Sequence, residues 1–115
     1  MWMNQSDIEI LYQNHDSHTC PNVRTGVRLL YRLMEAVNNQ SDGWAYWAAP
    51  GKAADKLMDL IRTTGNILYP LHGTISDDQL KKAISPIRRM VTVQVKKQKN
   101  YGNTFAFDVD AALKE

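Results

Sequence analysis

Half of the chain's Lys and Arg residues lie between positions 81 and 99: Lys81, Lys82, Arg88, Arg89, Lys96, Lys97 and Lys99. No Asp or Glu occurs between Asp78 and Asp108. The chemistry such a run can do is neutralisation of a polyanion. Phosphate binding needs several Lys and Arg on one face, with positioning groups beside them. Tyr101, just beyond the run, can stack on a base or a sugar. A second set, Arg24, Arg28 and Arg32, follows helical i, i+4, i+8 spacing. Like charges at that spacing repel by a few tenths of a kcal/mol per pair, roughly, unless something anionic meets them. Glu35 can relieve Arg32 at i+3, whereas Arg24 and Arg28 have no local acid. The bland reading is a solvated surface, because edge strands often carry Lys to block sheet-to-sheet association.

Other chemistries are weaker. His15, His18 and Cys20 are zinc-binding types, with His72 as a distant fourth. Their spacing matches no pattern of paired ligands, so polar turn residues and a buried thiol are the better reading. Cys20 beside His15 or His18 is not a nucleophile–base signal, since the fold and not adjacency assembles such groups. Pro50-Gly51-Lys52 can open a helix towards an anion but lacks the rest of a phosphate loop. Trp44, Tyr46 and Trp47 are core candidates, with one face of their segment left as a contact surface. No coherent catalytic constellation emerges, and neither cofactor nor metal is expected.

The elements that must position the basic residues follow from periodicity. Ser76-Asp77-Asp78-Gln79 has the form of a capping box, flanked by Ile75 and Leu80 as a hydrophobic staple. Leu80, Ala83, Ile84 and Ile87 continue it as one helix face. Pro86 predicts that this helix ends or kinks near Ser85. Val91, Val93 and Val95 then alternate with Thr92, Gln94 and Lys96, as in a half-buried strand. Phe105, Phe107 and Val109 alternate likewise, and Asn100-Tyr101-Gly102-Asn103 suits the turn between them. That hairpin places Lys96, Lys97 and Lys99 at or near its tip.

Upstream, Ser6-Asp7-Ile8-Glu9 is a second capping box, opening a short helix with Ile8, Leu11 and Tyr12 on one face and an end near His15. Pro21 suits the first turn of a long helix, whose core stripe is Val23, Val27, Leu30, Met34 and Val37. A short strand is predicted over residues 44–48. A helix starting at Pro50 follows, with Ala54, Leu57, Met58 and Ile61 inward and Gly65 as its C-terminal stop.

Length and composition set the frame. A chain of 115 residues, 43% apolar, can bury a real core as a single domain covering 1–115. Net charge is only +2, so the distribution of charge carries the argument. One cysteine excludes an intramolecular disulfide. No signal peptide or membrane span is apparent, so a cytoplasmic protein is the default.

The expected fold is therefore α+β: three to four helices packed on a small antiparallel sheet that ends in a C-terminal β-hairpin. From residue 21 to 110 the element order is similar to that of winged-helix domains. That resemblance implies a short strand pairing with the terminal hairpin, and a hairpin tip acting as a wing. The expected function is small, non-enzymatic nucleic-acid binding, with DNA the favoured partner. Arg88, Arg89, Lys96, Lys97, Lys99 and Tyr101 form the contact surface, and Arg24, Arg28 and Arg32 a second patch. The alternative is an adaptor or inhibitor docking on another protein, such as a component of a nucleic-acid-processing complex, or meeting an acidic protein surface. Homodimerisation is left open.

Overall fold

The computed structural model describes residues 5–14, 20–39, 53–68, 74–100 and 105–115. Five helices appear in them: α1 (Gln5–Gln13), α2 (Pro21–Asn38), α3 (Ala53–Leu68), α4 (Asp77–Asn100) and α5 (Val109–Leu113). No strand occurs among the described residues. The expected α+β architecture, its C-terminal hairpin and the likeness to winged-helix domains are thus overturned. The 44–48 strand and the 101–103 part of the proposed turn lie outside the described residues, as does Pro50.

α2 is the hub, packing against each of the other four helices. Its start is as expected, with Pro21 in the first turn. Val23, Val27, Leu30, Met34 and Val37 are all buried. Leu29 and Leu33 widen that stripe and are fully enclosed. Gly26 lets two neighbours come close: a β-carbon there would stand 2.6 Å from Leu68 Cδ1 and 3.3 Å from Leu80 Cδ1. α2, α3 and α4 therefore meet around a position where a β-carbon would have to displace the Leu68 methyl.

α3 continues through Gly65 to Leu68 instead of stopping at that glycine. An interior glycine costs about 1 kcal/mol relative to Ala. Burial of Ile61 and Leu68, seven residues apart on one face, offsets it. In α1, Ser6 lies inside the helix, which already includes Gln5, and not at a cap before it. Its inward face is as read: Ile8 is buried, and Leu11 and Tyr12 are half-buried against the core.

α4 departs furthest from expectation. The Ser76 box does form: the Ser76 amide donates to Gln79 Oε1 at 2.8 Å, and the Gln79 amide donates to Ser76 Oγ at 3.2 Å. The flanking Ile75 and Leu80 are both buried. The helix then runs through Pro86 and on to Asn100. Proline inside a helix removes one hydrogen bond and costs about 3 kcal/mol. Ala83 and Ile84 before it, and Ile87 and Val91 after it, are all buried, so packing holds both sides of the break. Ile84, Ile87, Val91 and Val95 make one unbroken helical stripe, and the Lys- and Gln-rich end that follows favours helix.

The segment expected to be the second strand is neither strand nor helix over 105–108 and turns into α5 from Val109. Asp108 then caps α5, its carboxylate accepting from the Ala111 amide at 3.2 Å. The expected alternation of burial survives without a sheet: Phe105 and Val109 are buried, Phe107 is half-buried, and Ala106 and Asp108 are exposed.

Candidate nucleic-acid interface

α4 contains 24 residues and so spans about 36 Å. Its inward side carries Leu80, Ala83, Ile84, Ile87, Val91 and Gln94. All seven bases, Lys81, Lys82, Arg88, Arg89, Lys96, Lys97 and Lys99, are exposed. At about 100° of rotation per residue they fall within one half of the helix circumference, opposite the buried stripe. Arg88 and Arg89 are thus mid-helix rather than at a helix-to-strand junction. Lys96, Lys97 and Lys99 occupy the last turns of α4 rather than a hairpin tip. In those turns, Lys97 and Lys99 complement the negative end of the helix dipole.

Local contacts fix parts of this face. Arg89 Nη1 donates to Ser85 Oγ at 3.0 Å, and Thr92 Oγ1 donates to the Arg88 carbonyl at 2.9 Å. Arg88 Nη1 lies 2.8 Å from Asp110 Oδ1 on α5. Both side chains remain well exposed, so the pair contributes under about 1 kcal/mol after screening. None of Arg89, Lys81, Lys82, Lys96, Lys97 and Lys99 makes an ion pair among the described residues. Val93, 54% exposed, stands in the strip that holds Arg89 and Lys97. Tyr101 lies outside the described residues.

The α2 arginines are arranged differently. Arg32 is clamped between two carboxylates, with Glu35 Oε1 3.2 Å from Nη1 and Glu115 Oε1 3.3 Å from Nε. The hydrogen bond it donates to Glu35 is the largest influence raising its already high pKa. Its guanidinium also sits 5.6 Å from the Tyr12 ring centroid. Tyr12 in turn stacks on Tyr31 at 4.0 Å and 4°. Glu35, then partial burial and Glu9, push the Tyr31 hydroxyl above its ordinary pKa. This cluster ties α1, α2 and the C-terminal residue together. Arg24 and Arg28 are half-buried, and the buried Arg28 Nε has no hydrogen-bond partner among the described residues. The C-terminal segment supplies one carboxylate to each of Arg32 and Arg88.

Cys20 is buried at the N-terminal end of α2. The Ile75 amide donates to its Sγ at 3.3 Å, which draws the thiol below its ordinary pKa against the opposing effect of burial. Asn22 Nδ2 donates to the Ile75 carbonyl at 2.8 Å and to Asp77 Oδ1 at 2.9 Å. These contacts fasten the start of α4 to the start of α2. His15, His18 and His72 lie outside the described residues, and no group of three metal-binding side chains occurs within them. A groove of about 360 Å³ is lined by Ile67, Leu68, Ile75, Gln79, Lys82 and Ala83, between the end of α3 and the start of α4.

No family model, curated protein or solved structure matches this chain. No described helix is long and apolar enough to cross a membrane.

Proposed function

We propose that the protein is a non-enzymatic nucleic-acid-binding protein whose contact surface is the outer face of α4. The observation that carries this reading is seven exposed bases on one half of one helix, with no acid in the sequence from Gln79 to Phe107. Phosphate backbones reward this arrangement, because each neutralised phosphate releases condensed counterions.

The composition of the face weighs against a protein partner. Five of the seven bases are Lys, a residue depleted at the centres of protein interfaces. Among the described residues, the exposed large apolar side chains are Ile10, Ile67 and Val93, one on each of three helices.

The test is binding to labelled DNA across a salt series. Replacing Lys97 and Lys99 together with Ala should weaken binding about equally for all sequences and lower the salt slope by about two units. Absence of binding to DNA or RNA at low salt, or binding insensitive to salt, overturns the reading.

A further inference from the structure

We infer that the nucleic acid is duplex DNA, and that α4 lies along its major groove with the stripe Ser85, Thr92 and Lys96 pointing inward. This rests on the nucleic-acid reading above and deepens it. The argument is the way the bases divide around the helix. Lys81, Arg88 and Lys99 fall within about 20° of one line along α4. Lys82 and Arg89 fall within about 20° of a second line roughly 100° round, with Lys97 further along the same flank. Between the two lines run Ser85, Thr92 and Lys96, the first half-exposed and the others exposed.

Two flanking rows of cations with short polar groups between them suit a helix entering a groove bordered by phosphates on both sides. With extended Lys and Arg tips roughly 7 Å from the helix axis, lines 100° apart stand about 11 Å from each other. The major groove of B-form DNA is about 12 Å wide. Short hydroxyl side chains on the central ridge let the backbone approach, and Lys96 can donate to guanine O6 or N7. Asp78 extends the ridge line at its N-terminal end, so the footprint begins at Lys81.

The other nucleic acids fit less well. The major groove of A-form RNA is too deep and narrow to admit such a helix. Single strands are held largely by stacking on aromatic rings, and residues 77–100 contain no Phe, Tyr, Trp or His. A helix merely lying across phosphates would have no use for a ridge of small polar groups between two cation rows.

The discriminating experiment uses four probes at about 0.1 M salt: a labelled DNA duplex of about two turns, an RNA duplex of the same sequence, the single DNA strand, and heparin. The wild-type protein should hold the DNA duplex at least about tenfold tighter than the RNA duplex or the single strand. Thr92→Tyr puts a bulky group on the ridge at an exposed site without removing a charge. It should lose DNA-duplex binding by tenfold or more and keep its affinity for heparin. Equal binding of DNA and RNA duplexes, or Thr92→Tyr binding the DNA duplex like wild type, overturns groove insertion and leaves the polyanion reading standing. Failure to bind any probe, heparin included, overturns both.

Discussion

Replacing Gly26 with Ala probes the packing that carries α4. Two effects oppose each other. Alanine in a helix interior is favoured over glycine by about 1 kcal/mol. Against this, the added β-carbon would sit 2.6 Å from Leu68 Cδ1 and 3.3 Å from Leu80 Cδ1. Carbon atoms pack at about 3.5–4.0 Å, so the Leu68 methyl must retreat by roughly 1 Å. The methyl is the end of a flexible side chain, but Leu68 is only 1% exposed, and moving it towards the neighbouring groove gives up buried contacts. Overpacking of this kind costs about 1–3 kcal/mol. The net expectation is a loss of about 1 kcal/mol in urea unfolding followed by helical circular dichroism, with the slope unchanged. The sharper measurement is the double-mutant cycle with Leu68→Ala. That change alone should cost about 2–5 kcal/mol. In its background only the milder 3.3 Å approach to Leu80 Cδ1 remains, and Gly26→Ala should stabilise by up to about 1 kcal/mol. The cycle then gives a coupling of up to roughly 2 kcal/mol. If Gly26→Ala stabilises the parent by its full propensity gain, the close approach of α2 to Leu68 is wrong.

Two further outcomes can be stated briefly. Asp110→Asn removes the carboxylate that holds Arg88 and takes one negative charge from the edge of the basic face. It should steepen the salt slope of DNA binding by about one unit, close to an eightfold gain at 0.1 M salt, while changing stability by less than about 1 kcal/mol; unchanged affinity would place Arg88 outside the contact. Ser76→Ala deletes one arm of the capping box and should cost about 1 kcal/mol in the same urea assay, a loss absent if the start of α4 is held only by its packing.

The parts of this fold that could be read from sequence are those where a local signal has one interpretation. Ser76 with Gln79 names a helix start through two reciprocal hydrogen bonds, and both form. Pro21 and the stripe from Val23 to Val37 have no competing period. The hairpin failed because two periods coincide. Residues four apart share a face in a strand and also in a helix, so Val91 and Val95, or Phe105 and Val109, fit either. Val93 was the residue able to discriminate. A strand facing the core through Val91 and Val95 would bury it, whereas it is 54% exposed. β-propensity is weak where tertiary packing decides, and the stripe from Ile84 through Ile87 already extended to Val91 and Val95. Pro86 and Gly65 do not stop their helices, since each is spanned by buried contacts on both sides. Cys20 and Asn22 meeting Ile75 and Asp77 could not be found from local pattern at all, because these contacts join residues more than fifty positions apart.

The corrected backbone changes the electrostatic argument in a definite direction. In a strand, Lys96 and Lys97 would point to opposite sides, and a single ligand could meet only one of them. In a helix whose other side is buried, Lys96, Lys97 and Lys99 join Lys81, Lys82, Arg88 and Arg89 on one solvent-facing half. Charge that a sheet would have divided is thus gathered by the helix. The reverse holds for α2: Arg32 meets Glu35 and Glu115, so it adds little to any positive field. The C-terminal segment reaches both helices through Glu115 and Asp110, offsetting Arg32 wholly and Arg88 in part. Among the described residues, the largest group of exposed cations without an ion-pair partner is on α4, from Lys81 to Lys99 with Arg88 partly offset, and a ligand drawn by charge would be drawn to that helix first.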